Sequence, residues 1–113
     1  MGGTQGVGEV DQMATGPTSL PEMAERLRIT RLALKLTQAR LCRLARISTQ
    51  TWNNAETGDG RLGLSRGIRL CEATGLTLEW IYRGIRYGLP AELAEAITRV
   101  EDSESKLSGK PKK

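Results

Sequence analysis

The sequence predicts an all-α fold, and three observations predict it. Apolar residues recur at intervals of three and four along most of the chain, the spacing of amphipathic helices. No segment shows the strict alternation of a half-buried strand. Residues that cap or stop helices, among them Ser19, Thr37, Ser48, Gly58, Gly75, Thr77 and Gly84, punctuate the periodic runs. At 113 residues the chain holds one domain, and roughly 65–70 % of its unfolded surface can be buried at that size. With no Phe, the core must be aliphatic, built from Leu, Ile and Ala with Trp52 and Trp80.

Residues 1–18 are rich in Gly and Thr, with almost no apolar periodicity, and are expected to form a disordered arm. Ser19-Leu20-Pro21-Glu22 matches a capping box, and Pro21 is tolerated where the first turn lacks intrahelical acceptors for its N–H groups. A first helix is expected from about Leu20 to Lys35. Met23, Leu27, Thr30 or Arg31, and Leu34 form its inner stripe, with Arg26, Arg28 and Lys35 lying away from it.

Two short helices follow, Gln38 to Ala45 and Thr49 to Glu56, joined by Arg46-Ile47-Ser48 and opened by the caps Thr37 and Ser48. Leu41, Cys42, Ala45, Ile47, Trp52 and Ala55 are spaced so that two crossed helices share one core. For Trp52, core is preferred over a base-stacking role. The outward face of the second helix of the pair carries Thr49, Gln50, Asn53 and Asn54, short uncharged side chains suited to reading base edges in a major groove. This arrangement suggests a helix-turn-helix that binds double-stranded DNA.

Asp59 to Gly63 reads as a polar loop carrying Arg61. A fourth helix is expected from Leu64 to Thr74, with Leu64, Ile68, Cys71 and Ala73 inward, and a fifth from Leu78 to Arg83, with Leu78 and Ile81 in the core. Trp80 and Tyr82 fit either an interface or partial burial. Pro90 opens a last helix to about Val100 with the stripe Leu93, Ile97 and Val100, which either meets a second copy of the chain or packs on its own domain. The divisions expected are thus an arm over 1–18, a DNA-binding domain over 19–88, a C-terminal helix over 89–101 and a disordered basic tail over 102–113.

Charge is segregated. The whole chain carries +4, but Met23 to Gly88 alone holds twelve basic and five acidic side chains, eleven of the cations being Arg. Residues before and just after this block are net acidic, and Lys106 to Lys113 adds a short basic end. Arg favours bidentate contact with phosphate or guanine, so a polyanionic partner is the economical inference. Other classes fare poorly. There is no apolar run of about 20 residues for a membrane span and no secretory leader pattern at the start. Without His, and with only Cys42 and Cys71, no zinc site is expected; no Ser or Cys has a base beside it, and no carboxylate pair falls on an expected pocket. The two cysteines are expected as reduced, buried thiols rather than a redox switch. No enzyme activity, cofactor or small-molecule ligand is expected.

LTQARLCRLARISTQTWNNAETG, followed by IRLCEATGLTLEWIYRG, resembles the Cro and lambda-repressor-like helix-turn-helix regulators, the XRE family, over about Glu25 to Gly84. The resemblance implies a five-helix domain, here with an additional C-terminal helix and disordered termini, whose third helix enters the major groove. It gives Gln38, beside Thr37 at the start of the second helix, a phosphate contact, and it gives Thr49, Gln50 and Asn53 the base-facing positions. Asn54 would read a base or hold a phosphate. Arg61 and Arg66 would be backbone clamps, with Arg40 and Arg43 either phosphate contacts or solvated. Arg31 and Glu56 match a family ion pair tying helix one to the recognition helix. The family usually has Gly where Arg46 stands, so a positive φ there would strain this chain. The implied protein is a cytoplasmic, nucleoid-associated transcriptional regulator of a bacterium or phage, most simply a homodimeric repressor on a palindromic operator. The competing reading is an antitoxin-like module that masks a partner protein.

Overall fold

A computed structural model describes residues 16–107. The expectations for residues 1–15 and 108–113 lie outside the described residues. Six helices follow one another: α1 Leu20–Ala33, α2 Gln38–Ala45, α3 Thr49–Thr57, α4 Leu64–Thr74, α5 Leu78–Arg83 and α6 Ala91–Leu107. No strand occurs among the described residues. Helix α1 is the central strut, packed on α3, α5 and α6, while α2 packs on α3 and α4.

The caps form as the sequence expects. The side chains of Ser19, Thr37, Ser48 and Thr77 accept from the N–H groups of Glu22, Arg40, Thr51 and Trp80, and Gly58, Gly75 and Gly84 close their helices in the left-handed region. Helix α1, however, stops at Ala33 and not at Lys35. Lys35 takes φ +61°, and the Leu36 N–H turns back to Arg31 O at 3.2 Å, which ends the helix early.

Trp52, Leu41, Leu62, Leu70, Ile81 and Ile97 are the largest fully buried side chains. All six residues expected between α2 and α3, Leu41, Cys42, Ala45, Ile47, Trp52 and Ala55, are buried. Helix α4 is turned differently from its expected face. Leu64 and Ile68 are 60 % and 40 % exposed and Ala73 is exposed, while Gly67 and Leu70 face inward and Cys71 is half-buried. The reason is Tyr82, whose hydroxyl donates to Leu62 O (2.7 Å) or Gly63 O (2.9 Å) across α4. A Cβ at Gly67 would lie 2.4 Å from that hydroxyl, so only a glycine admits it. Leu78 is likewise more exposed than expected, leaving Trp80 and Ile81 as the buried residues of α5.

Arg26 corrects the reading of α1, since it points inward and is 8 % exposed. Its guanidinium donates to Ile81 O from Nε (3.3 Å) and Nη2 (3.1 Å), and from Nη2 to Pro17 O (2.6 Å). These bonds satisfy carbonyls at the end of α5 and just before α1, which makes the burial tolerable. They also fix the last residues of the expected arm, where Ser19 N donates to Gly16 O at 3.0 Å.

Helix α6 runs to Leu107 rather than about Val100, so residues 102–107 are helical and not part of a tail. Two ion pairs account for the extension. Arg86 Nη2 meets both carboxylate oxygens of Glu101 (2.6 and 2.8 Å), and Arg28 reaches Glu104 at 3.1 Å. Leu93 is 9 % exposed and Ile97 is fully buried, both in the core shared with α1, and Val100 packs at its edge. The stripe offered as a dimer contact therefore packs on its own domain, which leaves Leu93 and Ile97 no surface for a second chain.

Candidate nucleic-acid interface

The two short helices cross through a tight turn. Arg46 ends α2 at φ +58°, ψ +51°, and Ile47 N donates back to Cys42 O at 3.0 Å before Ser48 caps α3. A left-handed conformation costs a non-glycine residue about 1–2 kcal/mol, and glycine offsets part of that by its larger freedom when unfolded. Arg46→Gly should therefore raise stability by about 0.5–1 kcal/mol in urea unfolding. No gain would mean that the side chain of Arg46 makes a compensating contact.

Crossing at this turn presents one side of α3 to solvent. Thr49, Gln50 and Asn53 are exposed, Asn54 is half-buried, and Trp52 and Ala55 are buried on the opposite side. Gln50 Nε2 donates to Asn54 Oδ1 at 3.3 Å. On the neighbouring α2, Arg40 and Arg43 are exposed, as is Arg46 at its C-cap, and Arg66 is exposed on α4. The structure thus exposes an uncharged, hydrogen-bonding face on α3, and arginines on α2, at its C-cap and on α4.

The other side of α3 is held by Glu56. Its carboxylate accepts from Arg31 Nε and Trp52 Nε1, both at 2.5 Å, and from Arg31 Nη2 (3.2 Å) and Gln38 Nε2 (3.1 Å). One buried anion joins α1, α2 and α3. Burial alone pushes the Glu56 carboxyl up, but the hydrogen bonds from Arg31, Gln38 and Trp52 outweigh it and hold the group below the ordinary carboxylate value. The expected Arg31–Glu56 pair is present. The roles of Gln38 and Trp52 at the same carboxylate were missed, although the i,i+4 spacing of Trp52 and Glu56 was a readable signal.

Several expected phosphate contacts are placed less simply. Gln38 gives one amide N–H to Glu56, so what it offers outward is the rest of its amide and the N–H groups at the start of α2. Thr37 uses its hydroxyl oxygen to cap Arg40 N at 3.1 Å. Arg61 is anchored, donating from Nη1 to Thr18 O (3.1 Å) and lying against Met23 Sδ (3.2 Å). Sequence reading gave no role to Arg69, which donates from Nε to Ala45 O at 3.2 Å and so satisfies a carbonyl at the end of α2. No local signal marks a cap supplied by another helix.

Cys42 is buried and Cys71 half-buried, and both are free thiols. Burial pushes each thiol up, away from the reactive thiolate, with Glu56 and Glu72 respectively adding to the effect. Among the described residues no three His, Cys, Asp or Glu side chains gather where they could hold a metal, and no helix is long and apolar enough to cross a membrane.

The crossed pair α2–α3, with its capped turn and solvent-facing second helix, defines a helix-turn-helix unit. A family model described as a helix-turn-helix domain matches residues 22–81, and the chain belongs to that family. No curated protein and no solved structure matches the chain.

Proposed function

We propose that this protein is a sequence-specific regulator that binds double-stranded DNA, of the Cro and lambda-repressor-like (XRE) type, acting as a homodimeric repressor on a palindromic operator. The observation that carries the reading is the α3 surface. Thr49, Gln50 and Asn53 stand exposed on a helix whose other side is fixed by Trp52 and Glu56. A base-reading helix needs such rigidity, because each discriminating contact depends on sub-ångström placement of donors and acceptors. Arg40, Arg43 and Arg66 supply phosphate contacts around it, with Thr37 and Gln38 at the α2 N-terminus and Arg61 from its anchored position. The two-fold contact lies elsewhere than Leu93 and Ile97, which the domain's own core occupies. The protein acts in the cytoplasm of a bacterium or phage-infected cell, on the nucleoid, without catalysis, cofactor or small-molecule ligand.

Titration of the purified protein against random and promoter-derived duplexes over a range of salt tests this reading. Expected are steep salt dependence and tighter binding to selected sequences. Arg40→Ala and Arg43→Ala should weaken binding to all duplexes alike and reduce the salt slope by about one each. Equal affinity for every duplex would remove the regulator role. Co-purification of a second protein without any DNA binding would favour the partner-masking reading instead.

A further inference from the structure

We infer that Asn54 is a positioning residue for Gln50, and that together they make the protein select adenine at one position of each half-site. The inference rests on the reading of α3 as the base-facing helix. Gln50 and Asn54 lie four residues apart, one turn along α3, and are joined by the Gln50 Nε2 to Asn54 Oδ1 bond at 3.3 Å. Their burial differs, with Gln50 exposed and Asn54 half-buried. Asn54 also sits where the backbone is held, its carbonyl accepting from Gly58 N, from Asp59 N (2.9 Å), and from the Thr57 hydroxyl (3.2 Å). The half-buried residue of the pair thus accepts from the exposed one.

This bond selects among the faces a glutamine can show. A free glutamine amide can turn over, exchanging its donor and acceptor. With one N–H given to Asn54 Oδ1, the orientation the structure shows, Gln50 keeps Oε1 as acceptor and one remaining N–H as donor. Adenine offers N6–H as donor and N7 as acceptor in the major groove, which matches that pair bidentately. Guanine offers two acceptors there, N7 and O6, and leaves Gln50 Oε1 facing another acceptor. Asn54 itself need not touch a base, in contrast to the base-reading or phosphate-holding role its position on α3 suggests.

Selection of bound duplexes from a random library, run with the intact protein and with Gln50→Ala, Asn54→Ala, Asn54→Asp and the double alanine variant, tests this. The intact protein should select adenine at one half-site position, and Gln50→Ala should lower that preference by about tenfold or more. Asn54→Ala should lower the same preference at the same position severalfold and leave other positions unchanged. The double variant should be no worse there than Gln50→Ala, since the two residues act as a unit. Asn54→Asp keeps an acceptor for the Gln50 N–H, so it should retain the adenine preference while binding all DNA more weakly. Adenine preference surviving in Asn54→Ala, a change at a different base position, or loss of preference in Asn54→Asp would each overturn the inference while leaving DNA reading intact. Failure of the intact protein to select any sequence would overturn both.

Discussion

Glu56→Ala should cost about 3–5 kcal/mol of unfolding free energy, because it removes one partner of a buried ion pair and orphans the other. The Glu56 side chain is only 5 % exposed and that of Arg31 15 %. Arg31 would keep its bond to Leu36 O at 3.0 Å but lose its carboxylate, and the indole N–H of Trp52 and the amide of Gln38 would lose an acceptor with it. Glu56→Gln retains an acceptor oxygen without the charge, and should cost less. Guanidinium unfolding of both variants checks the ordering, and equal losses would show that the retained acceptor oxygen contributes nothing without the charge. The same carboxylate sets an acid limb. Its folded-state value lies below the ordinary one, so the unfolded chain takes up the proton more readily. Its contribution is complete above the ordinary glutamate value of about 4.3 and is lost as the pH falls through the lowered folded-state value. Stability should thus decline in that acid window for the intact protein and decline less for Glu56→Gln.

Trp80→Ala should be of comparable size, about 3–5 kcal/mol, as for other large aromatic truncations in a core. Trp80 is 3 % exposed, and two guanidinium groups lie over its ring, Arg26 at 5.6 Å and Arg86 at 5.0 Å from the centroid. Its indole N–H donates to Thr30 Oγ1 at 2.9 Å, and that hydroxyl donates to Arg26 O at 2.6 Å. Arg86 in turn holds α6 through Thr98 and Glu101. Loss of the ring therefore opens a cavity and loosens the seat of α6 at once. Denaturant unfolding followed by the remaining Trp52 fluorescence should show the full loss, with α6 becoming sensitive to protease earlier than in the intact protein. Trp80→Phe, which keeps most of the volume but not the N–H, should lose about 1–2 kcal/mol. If protease sensitivity of α6 is unchanged in Trp80→Ala, the contact of Arg86 with the ring does not link α5 to α6.

The candidate site was legible in the sequence to the extent that it is local. Thr49, Gln50 and Asn53 face outward because Trp52 and Ala55 must face inward on so short a helix, and the capping residues Thr37 and Ser48 fix where each helix begins. The polar partners were not legible. Arg26 reads as lying away from the inner stripe and Arg61 as a clamp on phosphate, yet both reach across to backbone atoms distant in sequence. Long side chains carry no periodic signal that distinguishes a head in water from one buried against a carbonyl.

Local sequence specifies the set of helices, their caps and the solvent face of α3, since 3.6-residue periodicity and capping chemistry act within a few residues. Which faces meet is settled by packing alone. Gly67 faces inward because Tyr82 comes from another helix to cover it, and Leu62, Leu76 and Leu89 are buried although each stands in a connection. Ile97 fills the domain's own core, where its sequence pattern equally allowed a second chain. An apolar stripe specifies that it will be buried, but the partner is fixed by packing among distant segments, which no local pattern contains.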